Sequence, residues 1–357
     1  MTKVIEFMKK YRVILIIFII VFICMYMFMH TSLLYKIAYY LDEKGKFSQE
    51  EYILNLKLKL SPKNQSLRAK MKQSYALKRL IRFYYTQKDY KKIIALYESY
   101  IKKGEWSKLA RDVLITQNVN EALVYSDLGR FYLLDTQYEK SILYYNKALE
   151  LISEDYNFDM LSDIYDYAEI YNGLVYVYLA MTDYNNAKKN LDKSFELIKI
   201  LPVDVLQTRF FTNLAASQYF LETKNYAKSE YYANQLFLTI PSKALPMKSY
   251  IRYQSYYLMI ANNQMGKIKY QEQKYKEAED FQRKELFITQ EYYGEKSPKT
   301  ICSYHTLLNT LKHEPSNIKI LSEQDFIMNK ISNLLRNLIL YKNETIDLQE
   351  ISKFCEK

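Results

Sequence analysis

Three histidines, three cysteines and a surplus of lysine, arginine and tyrosine are the residues of this chain with chemistry to offer. His305 and His313 stand eight residues apart and share a helical face only if one helix runs on to His313, beside Pro315. A metal site needs further Cys, His or acid ligands at tighter spacing, so both read as exposed polar groups near a helix end. Cys24, Cys302 and Cys355 form no CxxC; the last two read as unpaired thiols, with a mutual disulfide as the alternative in an oxidising compartment. Gly45, Gly104, Gly129, Gly173, Gly266 and Gly294 are all the glycines there are, and no two are close. Phosphate-cradling loops of the Walker or GxGxxG kind need clustered glycines and are excluded. There is no G-x-S-x-G and no HExxH, and the carboxylates are spread along helix faces rather than gathered for acid–base work. The expectation is a chain that is not an enzyme and holds no cofactor or metal. What remains is recognition. With 51 Lys and Arg against 40 Asp and Glu, a formal charge of +11 and 38 tyrosines, the chain favours acidic peptides or anionic lipid heads. Nucleic acid is not expected, since no binding motif is present.

The elements that must position these residues are helices. From Glu121 to Ser153 the sequence reads as two amphipathic helices joined at Asp135–Gln137. Tyr125, Leu128, Gly129 and Tyr132 share one face of the first; Tyr138, Ser141, Ile142, Tyr145, Ala148 and Leu149 share one face of the second. Small residues at Gly129, Ser141 and Ala148 let the helices approach, and aromatics fill the space between. The pattern recurs. An aromatic opens each second helix at Phe47, Tyr90, Tyr138, Tyr184, Tyr226 and Tyr275, at intervals of 42 to 49 residues. Nine residues earlier stand Ala38, Ile81, Gly129, Val175, Ser217 and Gly266; three residues later stand Glu50, Ile93, Ser141, Ala187, Ser229 and Ala278. Both sets are mostly small, and the copy with Glu50 is the weakest.

This alternation of small and large resembles the tetratricopeptide repeat, a helix–turn–helix unit that stacks into an α-solenoid. The units are long, as in the kinesin light chain type, and YYGEKSPKT after the sixth resembles the Gly-x-x-x-Pro connector of that class. The expected fold is all-α: a repeat array over 34–298 and a C-terminal helical cap over 299–357. The resemblance implies that peptides bind on a concave face lined by the first helices. On that register the lining is Lys78, Arg82 and Tyr85, then Arg130, then Asn172 and Tyr176, then Asn263, Lys267 and Tyr270. The chaperone-tail clamp of some members pairs a Lys with an Asn four residues later; here Arg82 follows Lys78, so that specificity is not implied.

Ahead of the array, residues 1–12 form a basic tail with Lys3, Lys9, Lys10 and Arg12. Val13–Met29 is uncharged and nearly all apolar, long enough at about 1.5 Å per residue to cross a bilayer. A secretory signal peptide shares this layout, but the run is long and no A-x-A-like site follows, and Ile23 before Cys24 does not suit a lipoprotein. A single-pass signal-anchor helix over 13–33 is therefore expected. The basic flank points the tail into the cytoplasm and the array out of it, into the periplasm of a Gram-negative cell. An array facing the cytosol, as in mitochondrial import receptors, is the alternative. The expected function is a membrane-anchored scaffold binding a protein or extended peptide, one that is acidic on the charge argument. The second reading is a ligand-sensing module acting through a separate effector protein.

Overall fold

The computed structural model describes residues 31–61, 67–105, 109, 117–154, 161–201, 206–240, 248–315, 318–342 and 355. Among the described residues are fourteen helices and no strand. Twelve run as pairs: α1 (Thr31–Glu43) with α2 (Phe47–Leu60), α3 (Leu67–Thr86) with α4 (Tyr90–Lys102), α5 (Gln117–Leu134) with α6 (Tyr138–Glu154), α7 (Leu161–Ala180) with α8 (Tyr184–Ile200), α9 (Leu206–Glu222) with α10 (Tyr226–Leu238), and α11 (Lys248–Gln271) with α12 (Tyr275–Tyr293). Then come α13 (Pro298–Leu311) and α14 (Ile318–Lys342). The six marker aromatics are the first residues of α2, α4, α6, α8, α10 and α12. The expected anchor over 13–33 lies outside the described residues as far as residue 30, and Thr31–Leu33 open α1. Among the described residues no helix is long and apolar enough to cross a membrane.

One turn closes every pair. Two residues before each aromatic the backbone swings to positive φ, at Gly45 (66°), Lys88 (52°), Thr136 (62°), Thr182 (58°), Lys224 (58°) and Gln273 (62°). Gln137 N donates to Tyr132 O at 2.9 Å while Thr136 N donates to Leu133 O at 3.0 Å, and the other turns repeat this Schellman pattern. Only the first uses glycine, so five side chains sit in a conformation that costs an L-residue about 1–2 kcal/mol. A β-branched residue is the least comfortable there. Thr182→Gly is expected to stabilise the full chain by about 1 kcal/mol, with the greater freedom of glycine in the unfolded chain taking back part of the gain. A rise in Tm checks this; a fall would mean that the Thr182 side chain holds the turn in some other way.

The chain divides into two compact units inside α3, Met1–Leu80 and Ile81–Lys357. In the first unit Leu34, Ala38, Leu41, Phe47, Leu54, Ala76, Leu77 and Leu80 are buried. Glu50 occupies the position that most other repeats fill with a small residue, and it too is buried. Burial first, then Asp42, push its carboxyl up to about 9 against the pull of Arg79, so it carries its proton at neutral pH. Lys57 lies 5.3 Å from the Tyr35 ring, and Tyr75 meets the same ring edge-on at 5.3 Å.

In the second unit the small positions face each other as the spacing requires. Ser141 Oγ donates to Gly129 O at 2.7 Å; Ser217 and Ser229 exchange hydroxyl-to-carbonyl bonds of 2.9 and 2.8 Å. These backbone contacts satisfy the hydroxyls while keeping the helices close. Tyr145, 3% exposed, fills the space between α5 and α7: a Cβ built on Gly129 would lie 3.0 Å from its Cγ, and one on Gly173 only 2.4 Å from its Cζ. Pairs α5–α6, α7–α8, α9–α10 and α11–α12 each pack internally, and the first helices α5, α7, α9 and α11 also neighbour one another in sequence. The end of the unit is a separate core, where Leu286 of α12 packs with Ile301, Leu307 and Leu311 of α13 and Ile327, Ile331 and Leu338 of α14. Ser297 caps α13, with Pro298 at its first turn. Arg283 of α12 holds Glu323 of α14 bidentately at 2.7 and 2.9 Å. Cys302 and Cys355, expected as unpaired thiols, are joined in a disulfide with Cα atoms 5.1 Å apart. Their spacing in the sequence says nothing of this; the fold of the second unit brings Cys355 back onto α13.

Candidate binding groove

First helices that neighbour one another turn the same register positions toward a common side, and the second unit uses that side for tyrosines and cations. The Arg82 guanidinium lies 5.7 Å from the Tyr292 ring, joining the last turn of α3 to the end of α12. The Lys299 ammonium of α13 lies 4.7 Å from the Tyr85 ring of α3. Lys88, in the turn after α3, approaches Cys302 Sγ and the Cys355 carbonyl, each at 3.4 Å. The two ends of the unit therefore meet. Arg130 of α5 donates to Asp127 Oδ1 at 3.0 Å and lies 5.1 Å from the Phe131 ring. Its charge also reaches Tyr85, Tyr90 and Tyr256.

The electrostatics follow from this crowding. Lys299 first, and Arg130 after the opposing effect of burial, hold the Tyr85 phenol below its usual range. Burial opposes the charge on Lys299, but Tyr85 and Tyr90 outweigh it and its pKa lies above the ordinary lysine value. Burial raises Tyr176, Tyr256 and Tyr293, and neighbouring phenols raise them further: Tyr256 acts on Tyr176 and Tyr293, and Tyr85 acts on Tyr256 and Tyr293. These three phenols stay neutral at physiological pH and offer ring faces and hydroxyls. Lys267 is exposed to water, yet enough protein surrounds it for desolvation to lower its pKa against Glu285 and Glu222.

Of the expected lining, the structure gathers Arg82, Tyr85, Arg130 and Tyr176 around this one tyrosine set, and Lys267 acts electrostatically on Lys88 at its edge. Asn263 is partly exposed one helical turn before Lys267 on α11. One assignment is corrected. Asn172 is buried and spends its amide on the repeat interface, donating to Thr212 Oγ1 at 3.1 Å and accepting from Ser194 Oγ at 2.8 Å. Tyr270 turns to the α13–α14 connection, where its hydroxyl bonds His313 Nε2 at 3.1 Å and His313 stacks on Tyr275 at 4.6 Å. Lys78 belongs to the first unit and is not placed with the others. Missed from the sequence were Lys88, Tyr256, Tyr292, Tyr293 and Lys299. Lys299 could have been found by treating α13 as one more first helix, since Pro298 and the Ser297 cap mark its start. Among the described residues no group of His, Cys, Asp and Glu gathers as a metal site.

The fold defines the class of this protein as all-α and built of repeated helix pairs. No family model matches the chain, and no curated protein matches it. Among solved structures it is similar to the crystal structure of BtubC (BKLC) from P. vanneervenii, at 11% identity and a TM-score of 0.34, over 84% of this chain and 94% of that one.

Proposed function

We propose that this is a membrane-anchored interaction scaffold of the tetratricopeptide type, which binds an extended acidic segment of a partner protein in the groove of its second unit. The observation that carries the reading is the set of cations over phenol rings, Arg82 on Tyr292 and Lys299 on Tyr85, contributed by helices far apart in sequence. Tyrosine gives contact area at low entropic cost, and arginine recognises carboxylates through two parallel bonds. The Cys302–Cys355 disulfide supports placing the array outside the cytoplasm, where such bonds persist. The reading assigns no catalysis to the chain.

The test uses the full-length protein in its membrane, with crosslinking to its partner. Arg82→Glu with Arg130→Glu is expected to cut the crosslinked yield about tenfold and flatten its salt dependence, leaving helicity intact. Reversing Lys91 and Lys199, exposed on the second helices α4 and α8, should change little. Equal losses from both pairs would leave diffuse charge attraction as the account and remove the groove.

A further inference from the structure

The first unit separates its charges along the α1–α2 pair. Asp42 and Glu50 stand beside the Gly45 turn, and Asp42 acts on Glu50 there. Tyr35 and Lys57 stand two helical turns away, about 10 Å further from that turn on α1 and α2. Lys57 is 4% exposed, and its ammonium lies 5.3 Å from the Tyr35 ring centre. The Arg79 guanidinium of α3 lies 5.7 Å from the same ring. The Tyr35 hydroxyl is buried and has no hydrogen-bond partner. Among the described residues neither Lys57 nor Arg79 forms an ion pair, and Glu50, the acid on which Arg79 acts, holds its proton. Burial first, then Lys72, make the Lys57 charge costly and lower its pKa. A buried ammonium without a counter-ion and a buried phenol O–H without an acceptor each raise the free energy of the unliganded protein. One oxyanion relieves both, because it accepts from ammonium, guanidinium and phenol alike.

We propose that Lys57, Arg79 and the Tyr35 hydroxyl form a site for the phosphate of an anionic phospholipid headgroup. The proposal rests on the membrane-anchor reading and gives the first unit a role of its own. The cationic end of the α1–α2 pair is the end at which the chain arrives from the apolar run Val13–Met29. Tyr35 is six residues past Met29, at most about 20 Å of chain. The surface at that end suits a bilayer interface. Leu60, Met71 and Tyr75 are exposed, and Tyr75 meets the Tyr35 ring edge-on. Lys59 and Lys72 stand exposed beside Leu60 and Met71. Tyrosine rings settle at headgroup level, and lysines reach from there to phosphates and water.

The experiment titrates the full chain, solubilised in a non-ionic detergent, with dihexanoylphosphatidylglycerol, and reads binding by thermophoresis. Dihexanoylphosphatidylcholine, inorganic phosphate and hexaglutamate are titrated beside it. Phosphatidylglycerol is expected to bind more tightly than phosphatidylcholine, whose trimethylammonium group the two cations repel. Lys57→Met keeps the buried stem, removes the charge, and should weaken phosphatidylglycerol about tenfold, the effect of one charge-assisted bond. Arg79→Gln should do the same. Tyr35→Phe keeps the ring that both cations lie against, and losing the hydroxyl alone should cost about tenfold as well. Arg82→Glu with Arg130→Glu, in the second unit, should leave the lipid affinity unchanged.

Phosphatidylglycerol binding that ignores both Lys57→Met and Tyr35→Phe overturns the site. Carbonate washing of membranes holding the parent chain reports the anchor separately. A chain that stays with the membrane in that case keeps the anchor reading without the site. A chain that carbonate releases, while the three variants weaken the lipid as expected, keeps the site and removes the anchor. Inorganic phosphate or hexaglutamate binding as tightly as the lipid, with the same dependence on Lys57 and Tyr35, would overturn the lipid assignment and make a free phosphate or a peptide carboxylate the ligand.

Discussion

Gly173→Ala is expected to destabilise the second unit by about 1–3 kcal/mol, the usual cost of overpacking, although it adds a single methyl group. The new Cβ would lie 2.4 Å from Tyr145 Cζ and 2.5 Å from its hydroxyl oxygen. The ring has little room to retreat, because its base already packs against Gly129 so closely that a Cβ there would stand 3.0 Å from Tyr145 Cγ. Two helices of adjacent repeats thus close on one aromatic, and each glycine exists to let the ring in. Gly129→Leu should cost at least as much by the same mechanism. Gly266→Ala is the milder comparison, since there the Cβ meets Gln282 Cγ at 3.0 Å, a contact relieved by a shift of a few tenths of an ångström. Denaturant midpoints of the three variants check the order, and a Gly173→Ala midpoint equal to that of the parent chain would unseat Tyr145 from this position.

Those two glycines also show what was legible beforehand. Gly129 stands nine residues before a marker aromatic, a position small in most copies, so the repeat register exposes its role. Gly173 stands eleven before Tyr184, where no other copy is glycine, and only the packing of Tyr145 across the repeat boundary explains it. Helix starts were readable because each aromatic both opens a helix and fills its base. The turns were readable in position but not in conformation, because Lys88, Thr136, Thr182, Lys224 and Gln273 are poor advertisements for a positive φ. Along the groove, a register inferred within one repeat cannot see the neighbouring repeat. Asn172 was assigned to the lining and instead bridges to Thr212 and Ser194. Lys299 and the end of α12 entered the site only because the two ends of the unit meet, which is a long-range property that periodicity does not carry.

Breaking the Cys302–Cys355 disulfide is expected to have the other large effect. The two residues are separated by 53 positions, and closing a loop of that size removes unfolded-state entropy worth about 4 kcal/mol at 25 °C in the chain-entropy model. The bond joins α13, whose Ile301, Leu307 and Leu311 belong to the terminal core, to a cysteine that packs against the same core. Loss of the bond should therefore loosen α13 and α14 first, with the upstream pairs following. Cys302→Ser, Cys355→Ser and the double variant should share one lowered denaturant midpoint, since each removes the same cross-link. A reductant should lower the midpoint of the parent chain to that level and leave the variants unmoved. Hydrogen exchange should show the added opening concentrated in α13 and α14. Were the parent chain indifferent to reductant while the serine variants still fell, the cysteines would be stabilising the cap through packing alone and the cross-link would contribute nothing.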